Sequence, residues 1–103
     1  PVADIPVKWA AGEDEERQQI GTQKWLAIYP DAMEAWAEFR RTGYPTMYPV
    51  VESDNLDLPQ GTFIQRLPYP SLEYSTDLQQ VQQGVTLLGG PDKVSTPLWW
   101  AKK

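Results

Sequence analysis

Residues 31–45, Asp-Ala-Met-Glu-Ala-Trp-Ala-Glu-Phe-Arg-Arg-Thr-Gly-Tyr-Pro, hold a helix together with both of its ends. Asp31 can cap its start and Glu34 stands three positions on, a D-x-x-E box that satisfies N–H groups left open in the first turn. Ala32, Ala35, Trp36 and Phe39 recur at i, i+3, i+4 and i+7, which gathers apolar side chains on one face. Arg40 and Arg41 fall where cations favour the helix dipole, Gly43 suits a left-handed cap, and Pro45 forbids continuation. The spacing predicts a helix over 31–42, with Trp36 and Phe39 packed in a core.

Upstream, Glu13-Asp14-Glu15-Glu16 precede Ile20, Trp25, Ile28 and Tyr29. Carboxylates at the positive end of a dipole followed by apolar turns predict a helix over 14–29, with Trp25 also in the core. The competing reading of the acidic run is a cation or partner site. Only Pro30-Asp31 separates the two helices, so they fold back as an αα-hairpin, the unit from which helical repeat proteins are stacked. Residues 1–12, with Pro1, Pro6, Gly12 and a lone Trp9, read as an extended lead-in lying across another surface. The start at Pro1, without Met or a signal-like apolar stretch, reads as a piece of a longer chain.

Downstream, Pro45, Pro49, Pro59, Pro68 and Pro70 with Gly61 predict a long loop over 44–74, carrying at most short strands near Val50-Val51 and Phe63–Leu67. Thr76 and Gln79 mark the start of a third helix over 76–88, whose stripe is Leu78, Val81, Val85 and Leu88. Gly84 inside it costs about 1 kcal/mol relative to Ala, so packing must compensate. The tail Thr96-Pro97-Leu98-Trp99-Trp100 is too apolar to stand free in water. These helices and loops offer more apolar surface than they can cover, so residues 1–103 alone are expected to be poorly folded or to self-associate.

Composition narrows the function. Fourteen acidic against nine basic residues give a net charge of −5, with no basic block beyond two paired positions, which argues against nucleic acid as a partner. The chain has neither His nor Cys, which removes the commonest transition-metal ligands, disulfides and the usual base of a Ser or Cys nucleophile. A glycosidase-like carboxylate pair would have to come from Asp31 with Glu34 or Glu38, yet residues at that spacing on one helix make a cap. A non-enzyme without cofactor is expected. Glu52, Asp54, Asn55 and Asp57 crowd oxygen ligands into one loop, but lack the order of an EF-hand and read as a solvated acidic loop.

The segment Glu34-Ala35-Trp36-Ala37-Glu38-Phe39-Arg40-Arg41-Thr42-Gly43-Tyr44-Pro45 resembles a signature of the SusD/RagB-like family. Three further segments match in order: Gln23-Lys24-Trp25-Leu26-Ala27 before it, Arg66-Leu67-Pro68-Tyr69-Pro70-Ser71-Leu72-Glu73-Tyr74 after it, and then Gly89-Gly90-Pro91-Asp92 with Thr96–Trp100. Asp77 departs from the pattern, where Asn is usual. The resemblance implies a mainly α fold, here the last helical hairpin of a tetratricopeptide-like superhelix with a long Pro-rich loop and a C-terminal helix. It implies a lipid-anchored protein on the outer face of a Bacteroidota-type outer membrane, taking part in glycan uptake. Its partners would be the N-terminal remainder of the same protein, a TonB-dependent SusC-like transporter and an oligosaccharide. Trp25, Trp36, Phe39, Arg40, Arg41, Gly43, Tyr69 and Tyr74 are then structural, Arg40 and Arg41 pairing with carboxylates of the preceding helix or of the remainder. Aromatic faces stack on pyranose rings, so Trp9, Tyr48, Trp99 and Trp100 are weighed as platforms; Tyr48, Trp99 and Trp100 are the candidates, against anchoring of the chain end for the Trp pair.

Overall fold

The computed structural model describes residues 8–102. Over these the chain forms four α-helices and a 3-10 turn: α1 (Glu13–Ala27), α2 (Ala32–Thr42), α3 (Ser71–Thr76), α4 (Leu78–Leu88) and Trp99–Ala101. It divides into two compact units, residues 1–47 and 48–103. No helix among the described residues is long and apolar enough to cross a membrane.

In the first unit α1 and α2 form the expected hairpin. Four carboxylates occupy the first turn of α1, where the dipole favours them, and Glu13 pairs with Arg17 one turn on. The lead-in is tied to this helix by one side chain: Gln19 accepts from the Ala10 N–H at 2.9 Å and donates to the Lys8 carbonyl at 2.7 Å. Residues 1–7 of that lead-in lie outside the described residues. Asp31 caps α2 as expected, its Oδ1 accepting from the Glu34 N–H at 3.0 Å. Gly43 closes the helix at φ 81°, its N–H donating to the Phe39 carbonyl.

Which residues are buried differs from the stripe reading. In α1 the one buried position is Gly21; Gln19, Thr22 and Trp25 are half-buried, while Ile20, Lys24 and, beyond the helix, Tyr29 are exposed. The reason is contact distance: Tyr44 packs directly on the bare backbone of Gly21, and an added Cβ there would come within 2.9 Å of the Tyr44 Cβ. In α2 the buried residue is Glu38, while Trp36 and Phe39 are half-buried and not core. Glu38 sits on the α1 side because its carboxylate takes Lys24 Nζ at 2.9 Å and Arg41 Nη2 at 2.6 Å. Arg41 therefore pairs within its own helix, not with a carboxylate of α1. Arg40 lays its guanidinium 3.6 Å above the centre of the Trp36 ring, a cation–π contact on the side the stripe reading assigned to core.

In the second unit the long connection contains no strand among the described residues. Prolines and one left-handed glycine, Gly61 at φ 81°, leave only an isolated pairing of Val50 with Gly61 and Thr62. The segment expected to pair near Phe63–Leu67 instead binds the C-terminal tail, with Gln65 and Arg66 N–H groups both donating to the Val94 carbonyl at 2.7 and 3.2 Å. The expected third helix forms as α4, beginning at Leu78, and α3 is a further short helix at the end of the stretch expected to be loop. Pro70 precedes α3, and Asp77, at φ −146°, separates it from α4. The Thr76 hydroxyl donates back to the Leu72 carbonyl within α3, so it caps nothing in α4. Of the α4 stripe, Val81 is buried, Val85 and Leu88 are half-buried and Leu78 is exposed. Leu58, Val81 and Val94 form the buried apolar set of the described residues, and no large side chain is fully enclosed.

Candidate functional site

Two kinds of feature meet in the second unit: a clamp that holds its C-terminal half together, and aromatic rings turned to solvent. Asp92 is the centre of the clamp. Its Oδ1 takes the Arg66 guanidinium, both oxygens lie within 3.1 to 3.2 Å of the Tyr69 N–H, and its Oδ2 accepts from the Tyr74 hydroxyl at 2.6 Å. Burial pushes the Asp92 carboxyl up, but hydrogen bonds from Tyr74, Arg66 and the Tyr69 backbone outweigh it and leave the group below its ordinary range. The same bond holds the Tyr74 phenol above its ordinary value. Arg66 lies 5.2 Å from the Tyr69 ring centre, so one cation serves a carboxylate and a π face.

Local sequence explains why these groups converge. Pro68 and Pro70 hold the backbone extended around Tyr69, α3 then carries Tyr74 one turn along, and Gly89-Gly90-Pro91 brings Asp92 back beside them. Tyr69 continues onto α4, where its ring lies against Gly84; this is the packing that the helical glycine serves. Tyr69 through its N–H and Tyr74 through its hydroxyl both bond to Asp92. Asp92 as the hub was not singled out from the sequence. The signal was its position after Gly89-Gly90-Pro91, a turn that returns the chain, together with Arg66 as a cation inside an apolar, Pro-rich segment.

Around this clamp the candidate platforms separate. Tyr48 and Trp99 are almost wholly exposed, and neither makes a hydrogen bond or ring contact among the described residues. Trp100 is half-buried and engaged by the protein itself, which fits an anchor for the 3-10 turn. Lys102 fixes the turn further, its Nζ donating to the Leu88 carbonyl at the C-terminus of α4 at 3.0 Å. In the acidic loop, Ser53 and Asn55 take the loop's own N–H groups and Asp57 faces Lys93 at 3.5 Å. Among the described residues no group of carboxylates is arranged to hold a metal ion.

Known proteins share this fold. A SusD homologue from Bacteroides uniformis is 44% identical and superimposes with a TM-score of 0.85, over 96% of this chain and 22% of its own. A SusD-like protein from Bacteroides thetaiotaomicron is 42% identical with a TM-score of 0.80, over 96% of this chain and 21% of its own. A chitin-binding SusD homologue from Flavobacterium johnsoniae is 35% identical with a TM-score of 0.79, over 93% of this chain and 20% of its own. The chain thus spans about a fifth of the length of these relatives. No curated protein sequence matches. The profile of the family described as Susd and RagB outer membrane lipoprotein matches residues 1–101. With nearly the whole chain matched and its relatives folded alike, this protein belongs to the SusD-like family of outer-membrane lipoproteins.

Proposed function

We propose that this chain is the C-terminal segment of a protein that binds glycans or similar nutrients at the cell surface without altering them and delivers them to a TonB-dependent outer-membrane transporter. The observation that carries the reading is the family match over residues 1–101, supported by a relative that is itself chitin-binding. The protein is placed on the extracellular face of the outer membrane, held there by a lipid anchor. Within the segment, Trp99 offers the best platform for a sugar face, and Tyr48 a second one, since both present an unobstructed ring. Trp100, half-buried, serves as the anchor of the 3-10 turn. Of the carboxylates weighed for a glycosidase pair, Asp31 caps α2 and Glu38 is held by two cations. That engagement supports a binder over a catalyst.

The second reading is a structural interaction module without its own ligand. It is favoured by the exposed apolar side chains of the first unit, Ile20, Leu26, Tyr29 and Met33, which suit a protein neighbour better than a sugar. Titration calorimetry of the full-length protein against chito-oligosaccharides and a panel of plant and host glycans separates the two. Binding without turnover supports the first. Absence of binding to every glycan, with retained binding to the transporter, supports the second. Trp99→Ala is expected to weaken glycan binding about fivefold to tenfold, the loss of roughly one stacking contact.

A further inference from the structure

Residues 91–102 are laid across three other parts of the second unit and bond to each of them. Asp92 takes the Arg66 side chain, the Tyr69 N–H and, on α3, the Tyr74 hydroxyl. Two residues on, the Val94 carbonyl accepts from both the Gln65 and the Arg66 N–H. At the far end the Lys102 ammonium donates to the Leu88 carbonyl, where α4 finishes. Between these points Thr96 folds the segment back, its hydroxyl donating to the Pro91 carbonyl at 2.7 Å and its methyl lying over the bare backbone of Gly90.

The parts it bonds to have little of their own to hold them. Residues 65–70, with Pro68 and Pro70, lie outside any helix or sheet, so their N–H groups need partners elsewhere. Those of Gln65, Arg66 and Tyr69 find them on this one segment. Helix α3 is six residues long, far below the roughly 12 to 15 at which an isolated helix becomes marginal in water, so ties beyond its own turns must keep it. One such tie is the Tyr74 hydroxyl on Asp92. Both elements thus end on the same carboxylate. The Asp92 and Arg66 side chains are 7% and 9% exposed, and further chain packed around them can only deepen that burial.

We infer that residues 91–102 are a clasp, a closing segment fastened by Asp92, on whose seating the order of both α3 and the 65–70 stretch depends. When Asp92 is unseated, the Arg66 guanidinium, the Tyr69 N–H and the Tyr74 hydroxyl lose their acceptor together. The two elements then loosen as one, in an opening smaller than global unfolding that leaves α1 and α2 as they were. The clasp is independent of which ligand the protein takes.

The test is hydrogen exchange of the full-length protein, read by mass spectrometry on fragments covering residues 62–69, 70–77 and 13–42. The informative amides are in α3 and do not bond to the clasp themselves: Glu73 N–H donates to the Pro70 carbonyl at 3.0 Å and Asp77 N–H to the Glu73 carbonyl at 2.8 Å. In Asp92→Asn, exchange over 62–69 and 70–77 is expected to quicken together by about tenfold or more, with 13–42 unchanged. Tyr74→Phe cuts the α3 tie alone, so it is expected to quicken 70–77 and leave 62–69 at the wild-type rate. Glu38→Gln, which alters the buried carboxylate of the other unit, is expected to leave both at the wild-type rate. Wild-type exchange over 70–77 in Asp92→Asn would show that other parts of the protein hold α3, and would overturn the clasp. Equal quickening by Glu38→Gln would overturn it as well, since the response would then be global. If Asp92→Asn does not fold, Tyr74→Phe decides: unchanged exchange over 70–77 removes the tie on which the clasp depends.

Discussion

The two units solve the same problem with different security. Each buries one carboxylate, beside two cations in the first and one in the second, and each seats a tyrosine beside a proline on a helical glycine: Glu38 with Tyr44 on Gly21 in the first, Asp92 with Tyr69 on Gly84 in the second. Glu38 is 4% exposed, but the side chains that neutralise it, Lys24 and Arg41, are 46% and 57% exposed. Asp92 is 7% exposed and its Arg66 partner 9%. A half-exposed cation can turn to water when its partner is lost, whereas a buried one is stranded. The first clamp is therefore adjustable and the second all-or-none.

The largest expected effect tests that contrast directly. Asp92→Ala strands the Arg66 charge and releases Tyr69 and Tyr74 from their shared acceptor, and should cost about 3–5 kcal/mol of stability. Glu38→Ala should cost about 1–2 kcal/mol, because Lys24 and Arg41 regain solvent. Chemical denaturation of the two variants of the full-length protein measures both. Equal losses would break the comparison.

Acid should act on both clamps. Hydrogen bonds from Arg41 and Lys24, with their charges, hold Glu38 below its ordinary range against the opposing effect of burial, and Asp92 is lowered as well. In the unfolded chain both groups bind protons near ordinary carboxylate values, about 4, so on acidification the unfolded state takes up protons first. The stability these groups contribute is full above that range and is lost as pH falls through their lower folded values. The acid limb of a stability profile should flatten in Asp92→Asn and in Glu38→Gln alike, since both carboxyls are lowered in the folded chain. An unchanged limb in both variants would show that neither clamp is linked to protonation.

The glycines differ in the same sense but with the order reversed. Helical Gly→Ala gains about 1 kcal/mol of propensity. At Gly84 the obstacle is the hydroxyl end of Tyr69, which can swing aside; at Gly21 it is the Cβ of Tyr44, fixed to the backbone. Gly21→Ala should destabilise by about 1–2 kcal/mol net, and Gly84→Ala should fall within about 1 kcal/mol of wild type. Thermal melts of the pair decide it. A more harmful change at Gly84 would mean that the Tyr69 ring is as fixed as the backbone.

These glycines also mark how far the sequence could be read. Helix identity was legible wherever a local signal acts alone: the Asp31 cap, the Gly43 stop and the Pro-rich connection all have causes within a few residues. Burial was not, because it depends on which face meets a neighbour. Trp36 carries the apolar stripe of α2, yet it is half-buried under Arg40 while charged Glu38 takes the inner position, so Trp36→Ala should cost well below the 3–5 kcal/mol of a core tryptophan. The stripe of α4 is legible, but α3 is not, because a six-residue helix in a Pro-rich stretch carries no apolar periodicity of its own. The hub at Asp92 joins residues 18 to 26 positions apart, a separation that no spacing rule covers.

The smallest effect concerns helix starts, where the two units differ again. Both α2 and α4 begin after an aspartate. Asp31 accepts from the Glu34 N–H at 3.0 Å, whereas Asp77 makes no side-chain cap bond, its backbone being turned to φ −146° by the preceding α3. The chemistry is the same in both places and only the geometry differs. An N-cap bond of this kind contributes about 1 kcal/mol, so Asp31→Ala should lower stability by roughly that amount. Asp77→Ala removes no such bond and should leave stability within about 0.5 kcal/mol of wild type. Equilibrium denaturation read by circular dichroism separates the two, since the helical signal reports both sites. If Asp77→Ala proves as costly as Asp31→Ala, then α4 draws on a cap in solution, and the α3–α4 junction closes more tightly than this geometry allows.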